Sequence, residues 1–459
     1  MIVCALRTRK QLTATKFALH IIRVTAAAAL ALLPAHAAAH AFRTRYDLPL
    51  PFPLWLAGAG LAVALSFVVF SLALRPGSTA YPRRALLRLH PLVLNALRAV
   101  SVCVFVVLIA AGLFGTQDPF RNLAPAFVWI VWWIGFTYLS ALAGDLWSVL
   151  NPWQALYPAG RFGLRRELPA AVGVWPAAAL LVAFGWIEIV WEGNAVPAHI
   201  AWLAIGYSVL TWAGMFVFGR EAWLQSGEVF TVYFGFLARL APGELRSGNW
   251  YLRPPAAGLL DARPLSSSQA FFVIVMLAVV TFDGLRETPL WAVSEAHWTA
   301  ATTAGLLAMP LVFALVIFGV CALMSHASPG ELLRLFVPSL LPIALAYHVA
   351  HYLSYLLVGG QVAIPLASDP LGRGWNLFGT AHYRIAMDIV GARFAWYTSV
   401  VVIVLGHVLA MYVAHRLALA RFSERSTARR SQYPLAALMV AYTMLSLWIL
   451  AQPIVETGR

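Results

Sequence analysis

Ten apolar runs follow one another along this chain, and each is close to the ~20 residues that a helix needs to cross a bilayer. They lie at about 53–74, 97–116, 125–144, 170–191, 198–219, 269–285, 299–324, 338–358, 397–417 and 434–452. The run at 269–285 is the weakest of the ten. The pattern predicts an all-α fold, a polytopic transmembrane helical bundle of about ten spans.

The charges support this interpretation and exclude a soluble nucleic-acid-binding protein. Only 11% of the residues are charged, whereas a soluble domain has roughly 25%. The formal net charge of +14 comes mostly from arginines in short loops between alternate pairs of runs. Because positively charged loops stay in the cytoplasm, the mature N-terminus is predicted to lie outside, and an even number of spans returns the C-terminus there. The loop near 220–268 is then cytoplasmic and the loop near 367–396 extracytoplasmic.

Residues 1–39 have the pattern of a secretory signal peptide. A basic segment precedes the apolar stretch 24–33, which is too short to span, and Ala37–Ala39 supplies an Ala-x-Ala cleavage site. Residues 40–459 would then form a single transmembrane domain. Cleavage after Ala39 would leave His40 as the N-terminal residue, whose amine and ring nitrogen together suit copper. The alternative is that His40 only belongs to an alanine-rich leader.

Two loops are long enough to have structure of their own. The first contains the apolar stretch 229–237, which predicts an interfacial or re-entrant helix. The second, 367–396, is rich in the turn residues Gly, Pro, Asn and Asp. It joins two runs that carry histidines, so it is a candidate lid over their outer ends.

Three histidines are the main candidates for a functional site. His348 and His351 lie on one face of the run 338–358, and His407 lies ten residues into the next run. If the two helices are antiparallel, all three imidazoles reach the middle of the bilayer, where ionisable groups are costly and usually functional. Three neutral imidazoles with one open position would suit zinc or copper. The alternative is that the rings are hydrogen-bonded packing residues.

Carboxylates near the outer side could complete such a site. Asp283, Asp369 and Asp388 are each a candidate general base or fourth metal ligand. For Asp145, at the inner end of the third run, a loop-capping role is expected, with orientation of a histidine as the alternative. No phosphate loop, dinucleotide fingerprint, Gly-x-Ser-x-Gly elbow or His-Glu-x-x-His motif occurs in the sequence, which argues against a nucleotide-driven pump or a serine esterase.

Several short stretches resemble a family of bacterial integral membrane proteins known as fenitrothion hydrolases. They are Arg45–Pro51, Gly144–Trp153, Ala346–Tyr352, Ser368–Thr380, Gly406–Val408 and Ala414–Arg416. The resemblance implies a multi-pass protein of the bacterial inner membrane that hydrolyses organophosphorus triesters and releases a nitrophenol. Such an apolar substrate would reach the site from the membrane lipid, and a metal-bound hydroxide could attack phosphorus.

Two other classes of function remain open from the sequence. The first is a copper- or haem-binding membrane protein or a metal transporter, in which His351 and His407 could be axial ligands of haem b. The second is a non-catalytic assembly subunit, which could form homo- or hetero-oligomers with a related membrane subunit. In that case the histidines would have packing roles only.

Overall fold

The structure is a computed structural model that describes residues 46–456, apart from 76–78, 159–161, 247, 261–262, 294–296, 325–326 and 423. The predicted signal peptide at 1–39 and His40 lie outside the described residues. Within them, nine helices are long and apolar enough to cross a membrane, so this is a multi-pass membrane protein. The prediction of an all-α bundle is confirmed.

Each of the ten apolar runs forms a helix. The main helices are α1 (Phe52–Ala73), α2 (Pro91–Phe114), α3 (Leu123–Ala143), α4 (Trp175–Ile189), α5 (Pro197–Phe218), α6 (Val229–Ala238), α7 (Ser267–Arg286), α8 (Trp298–Leu323), α9 (Leu341–Gly359), α10 (Ala392–Arg421) and α11 (Tyr433–Ala451). Of these, α4 is a shorter apolar helix, and α6 lies in a loop. Within α3, residues Ala126–Gly135 are π-helical.

Short helices extend or connect the main ones. They are Trp147–Leu150, Pro152–Leu156, Glu192–Ala195, Arg220–Ser226, Ala257–Leu259, Pro289–Trp291, Pro329–Phe336, Val337–Leu340, Gly360–Val362, Ala363–Ser368 and Arg425–Ser431. Those flanking α9 make Pro329–Ser368 one nearly continuous helical stretch. The helix before α11 likewise lengthens it to Arg425–Ala451.

In the described part of the chain, five short strands form two small sheets outside the bundle. They are β1 (Tyr46–Asp47), β2 (Arg84–Arg88), β3 (Gly243–Arg246), β4 (Asn249–Leu252) and β5 (Val455–Glu456). β1 pairs in parallel with β5, and β2, β4 and β3 form an antiparallel sheet in that order. These strands were not predicted from the sequence, because each is only two to five residues long.

The strand pairings bear on whether an even or an odd number of helices crosses the membrane. β1 and β5 pair the two described ends of the chain, so both ends lie on one side, and an even number of crossings must separate them. The second sheet joins the loop after α1 to the loop after α5, which requires an even number among α2, α3, α4 and α5. The nine long helices alone give an odd number in both cases, and adding the 15-residue helix α4 makes both numbers even. The nine long helices and α4 then make the ten predicted spans.

The weakest of the ten runs becomes the central helix of the bundle. α7 begins at a capping box in which Ser266 and Gln269 exchange side-chain and backbone hydrogen bonds. Every residue from Phe272 to Gly284 is buried, and the helix packs against α4, α8, α9 and α11. Because protein surrounds α7 on all sides, it tolerates the polar residues Thr281 and Asp283 that interrupt its apolar pattern.

The helix predicted in the loop near 220–268 is present as α6. Its residues are almost all buried, and it packs against α3, α4 and α9. An interfacial helix would instead keep one face exposed to water and lipid headgroups. α6 is therefore a buried helix of the bundle, and its N-terminal residue Val229 follows the buried carboxylate of Glu228.

Gly406 allows α9 and α10 to approach each other closely. A Cβ at this position would lie 2.3 Å from the Cβ of Ala346 and 2.9 Å from the carbonyl oxygen of Pro342. We expect Gly406→Val to force the helices apart and to cost about 1–3 kcal/mol of stability, as overpacking does. Gly58→Val is the matched control, because a Cβ there meets nothing within 4 Å. Thermal unfolding of both variants in detergent measures the difference, and equal midpoints would contradict this packing.

Candidate functional site

The polar centre of the bundle is the carboxylate of Asp283, near the C-terminal end of α7. Asp283 is only 4% exposed, and three side chains donate hydrogen bonds to it. The Nε of Arg286, one turn further along α7, donates to Oδ1 at 2.7 Å. From α9, the Nε2 of His351 donates to Oδ2 at 3.0 Å, and the hydroxyl of Tyr352 donates to the same oxygen. A buried carboxylate is thus paired with one cation and two further donors, as burial of a charge requires.

The contact with Asp283 determines which ring nitrogen of His351 can act as a base. Because an ionised carboxylate only accepts hydrogen bonds, Nε2 of His351 carries the proton. In the neutral ring, Nδ1 then keeps its lone pair. The His351 side chain is only partly buried, whereas Asp283 behind it is buried. A carboxylate that orients an imidazole in this way is the arrangement used by many general bases.

His348 lies one turn before His351 but faces α3 instead of Asp283. Its ring centroid is 5.5 Å from that of Tyr138, 6.3 Å from that of Trp133 and 4.7 Å from that of Tyr352. Neither ring nitrogen has a hydrogen-bond partner among the described residues. His348 lines a cavity of about 30 Å³ together with Glu188 and Tyr352, which is enough space for one or two water molecules.

His407, on α10, contacts a third set of residues. Its Nδ1 donates to the carbonyl oxygen of Ile403 at 2.9 Å, and its ring lies 5.8 Å from that of Tyr442 on α11. The hydroxyl of Tyr442 is in turn hydrogen-bonded to Thr281 of α7 at 2.5 Å. His407 is fully buried in this packing.

The described residues contain no group of three or more His, Cys, Asp or Glu side chains that could hold a metal ion. The predicted three-histidine site for zinc or copper is therefore not supported by the positions of His348, His351 and His407. The reason is helix rotation. Equal depth in the bilayer does not determine the direction of a side chain around its helix axis, and each ring faces a different neighbour.

Of the three candidate carboxylates, only Asp283 contacts a histidine. Asp369 accepts hydrogen bonds from the backbone N–H groups of Arg373 and Gly374 at 2.8 and 2.7 Å, which organise the loop after α9. Asp388, further along that loop, is exposed. In the described part of the chain, no hydrogen bond or ion pair joins either of them to His348, His351 or His407.

The loop predicted to be a lid is held against the C-terminal end of α2. The N–H of Thr116 donates to the carbonyl oxygen of Leu371 at 2.9 Å, and the N–H of Leu123 donates to that of Pro370 at 3.1 Å. Arg373 also donates to the carbonyl oxygen of Phe114 at 3.0 Å. These contacts place the first part of the loop beside the α2–α3 connection.

Asp145 has the capping role expected from the sequence. Its Oδ1 accepts from the N–H of Ser148 at 3.2 Å at the start of the helix Trp147–Leu150. Burial raises the pKa of Asp145 above its usual value, and the hydrogen bond from Ser148 opposes this only in part.

Two residues of the site were not predicted from the sequence. Arg286 lies three residues after Asp283, a spacing that places both side chains on one helix face and could have revealed the pair. Trp133 donates from Nε1 to Glu188 at 2.8 Å and lines the cavity beside His348. One more tryptophan in a run already rich in aromatic residues gave no comparable signal.

Comparison of the chain with protein-family models, with curated proteins and with solved structures gives no match.

Proposed function

We propose that this multi-pass membrane protein is a hydrolase of uncharged, apolar esters, with organophosphorus triesters of the aryl phosphorothioate type as the substrate class. The observation that carries the proposal is the Asp283–His351 pair. It joins a buried, ionised carboxylate to a partly accessible imidazole in the interior of a helical bundle. Ionisable groups at such positions are costly and by default functional. The resemblance to fenitrothion hydrolases supplies the substrate class.

In this mechanism His351 is the general base. Its Nδ1 takes a proton from a water molecule, and the water oxygen forms a bond to phosphorus while the bond from phosphorus to the aryl oxygen breaks. The nitrophenolate leaves with the electron pair of the broken bond, and it needs little help from an acid because it is a weak base. Asp283 stabilises the imidazolium that forms, as carboxylates do beside catalytic histidines. Arg286 balances the charge of Asp283 throughout.

The positions of the charges also support a location in the cytoplasmic membrane. Arginine-bearing loops alternate with loops of lower positive charge, and α1 and α10 are flanked on their predicted inner sides by Arg75 and Arg421. In this orientation Asp283 lies at the outer end of α7. Substrate would then reach the site from the lipid or from the outer face.

The direct test is turnover by the purified wild-type protein in lipid nanodiscs. We expect release of nitrophenol from a nitrophenyl phosphorothioate triester, with the oxygen of isotopically labelled water appearing in the phosphorus product and not in the nitrophenol. Heat-denatured protein in identical nanodiscs is the control. Absence of turnover above that control, with folded protein and a soluble substrate, would rule out the proposal. A Soret band or a stoichiometric metal in the same sample would instead support the haem or metal alternatives.

A further inference from the structure

A large apolar chamber lies beside the polar site and is not part of it. It has a volume of about 570 Å³ and is lined by residues of α2, α3, α4, α5 and α6 and of the short helices Trp147–Leu150 and Pro152–Leu156. Aromatic rings make up much of its wall, including Phe105, Trp129, Trp132, Trp153, Phe184 and Phe230. No charged side chain is among the described residues that line it. The volume is within the range of small-molecule sites, which are usually 300–1,000 Å³.

Several polar groups of the chamber wall already have hydrogen-bond partners. The hydroxyl of Ser101 donates to the carbonyl oxygen of Leu150, and that of Tyr207 donates to Glu228 at 2.6 Å. The indole nitrogen of Trp153 donates to Ser208 at 2.8 Å, and that of Trp129 donates to the carbonyl oxygen of Asn194 at 2.9 Å. A molecule in the chamber would therefore meet mainly carbon surfaces and ring edges, and a charged group on it would have no oppositely charged partner among the described lining residues.

The chamber opens between two membrane-spanning helices. α2 and α5 touch where Gly112 packs on Ala201, since a Cβ on Gly112 would lie 2.7 Å from the Cβ of Ala201. Further along α5, Trp202, Gly206 and Leu210 line the chamber and are exposed. They are four residues apart and hence on one helix face. Because α2 and α5 both cross the bilayer, the opening faces hydrocarbon.

We propose that this chamber binds an uncharged aromatic molecule that enters from the hydrocarbon core of the bilayer. An aromatic ligand fits this wall because ring pairs gain edge-to-face contacts beyond the burial of area. A phospholipid fits it less well, since the described lining residues offer no partner for a charged headgroup. This inference rests on the proposed hydrolase activity. It assigns the chamber as the place where the apolar part of the substrate binds.

Trp133 separates the chamber from the polar site. Its ring centroid lies 4.6 Å from that of Phe184, which lines the chamber, and 6.3 Å from that of His348 on the other side. The neighbouring Trp132 faces the chamber, whereas Trp133 lines the small cavity of His348 and Glu188. Both tryptophans lie in the π-helical part of α3, and such segments are frequent at functional sites. One layer of side chains thus separates the apolar chamber from the cavity that contains His348 and Glu188.

Gly206 makes the chamber testable without disturbing the fold. A Cβ at Gly206 would meet nothing within 4 Å, so the side chain in Gly206→Phe can extend into the opening. Gly58→Phe is the matched control, because Gly58 is also an exposed helical glycine with nothing within 4 Å, but it lies on α1 away from the chamber. The probe is an uncharged phenyl diazirine, which crosslinks on illumination. Labelled peptides from the full-length protein in nanodiscs are identified by mass spectrometry.

We expect the diazirine to label the chamber-lining parts of α2 and α5, and Gly206→Phe to lower that labelling at least about tenfold, whereas Gly58→Phe leaves it unchanged. In the wild-type protein, triphenyl phosphate should compete, whereas the charged diphenyl phosphate should not. This competition needs no variant, so misfolding of Gly206→Phe would not leave the inference undecided. Labelling elsewhere, equal labelling of both variants, or displacement by added phospholipid alone would overturn it. If the chamber is labelled and triphenyl phosphate competes, but no nitrophenol is released, the hydrolase proposal is ruled out and the binding site is still supported.

Discussion

Replacing His351 with alanine is expected to lower the turnover of a nitrophenyl phosphorothioate by about 10²- to 10⁴-fold, the range that a positioned general base contributes. Asp283→Asn should cause a loss of similar size, because an asparagine can present its amide N–H groups to Nε2 and favour the wrong tautomer of His351. Turnover is measured per folded molecule in nanodiscs, with the folded fraction taken from size-exclusion profiles. The substrate concentration is varied so that kcat and KM are obtained separately.

The losses of turnover caused by His351→Ala and Asp283→Asn should not be additive. If Asp283 acts through His351, the double variant loses little more than either single variant, as is usual for groups that act together. His199→Ala is the control, because His199 is exposed and its contacts are with Gly193 and Trp191. Losses confined to folded yield, with turnover per folded molecule preserved, would mean that the Asp283–His351 pair only stabilises the bundle.

Glu228→Ala is expected to have the largest effect on stability of the variants considered. Glu228 is 0% exposed, and its two carboxylate oxygens accept six hydrogen bonds. The donors are the side chains of Trp147, Asn151, Tyr207 and Thr231 and the backbone N–H groups of Phe230 and Thr231. Each buried donor left without a partner costs about 1–3 kcal/mol, so we expect a total loss of at least about 3 kcal/mol.

Glu228 matters because it joins three parts of the fold. It caps the N-terminus of α6, holds Tyr207 of α5, and binds the connection after α3 through Trp147. Glu221→Ala is the matched control, since that side chain is 85% exposed. Thermal unfolding in detergent, followed by fluorescence-detected size exclusion, compares the variants. A midpoint for Glu228→Ala within error of that for Glu221→Ala would contradict the network.

Much of the architecture could be predicted because the bilayer imposes a length on each apolar run. All ten predicted runs are helices, and the sequence stretch 229–237 corresponds to α6. The role of α7 could not be predicted in the same way, since its polar residues weaken the apolar pattern from which a span is recognised. Those residues, Thr281 and Asp283, are tolerated only because neighbouring helices bury them.

The sequence predicted candidate residues of the site, but not the contacts between their side chains. His348 and His351 are three positions apart, which places them about 60° apart around α9. That angle is large enough for one ring to face α3 and the other to reach Asp283 on α7. The contact between His351 and Asp283 joins residues 68 positions apart, and no local pattern in the sequence determines it.

The sequence alone therefore determined the class of the protein, the number and approximate ends of its helices, and the presence of ionisable side chains inside them. Hydrophobic length and charge distribution are one-dimensional properties, so they can be recognised along the chain. Only the tertiary structure decided how each helix is rotated about its axis, that α7 is central, and that Asp283 joins His351, Tyr352 and Arg286. Rotation depends on contacts such as that between Gly406 and Ala346, which form only when the helices pack together.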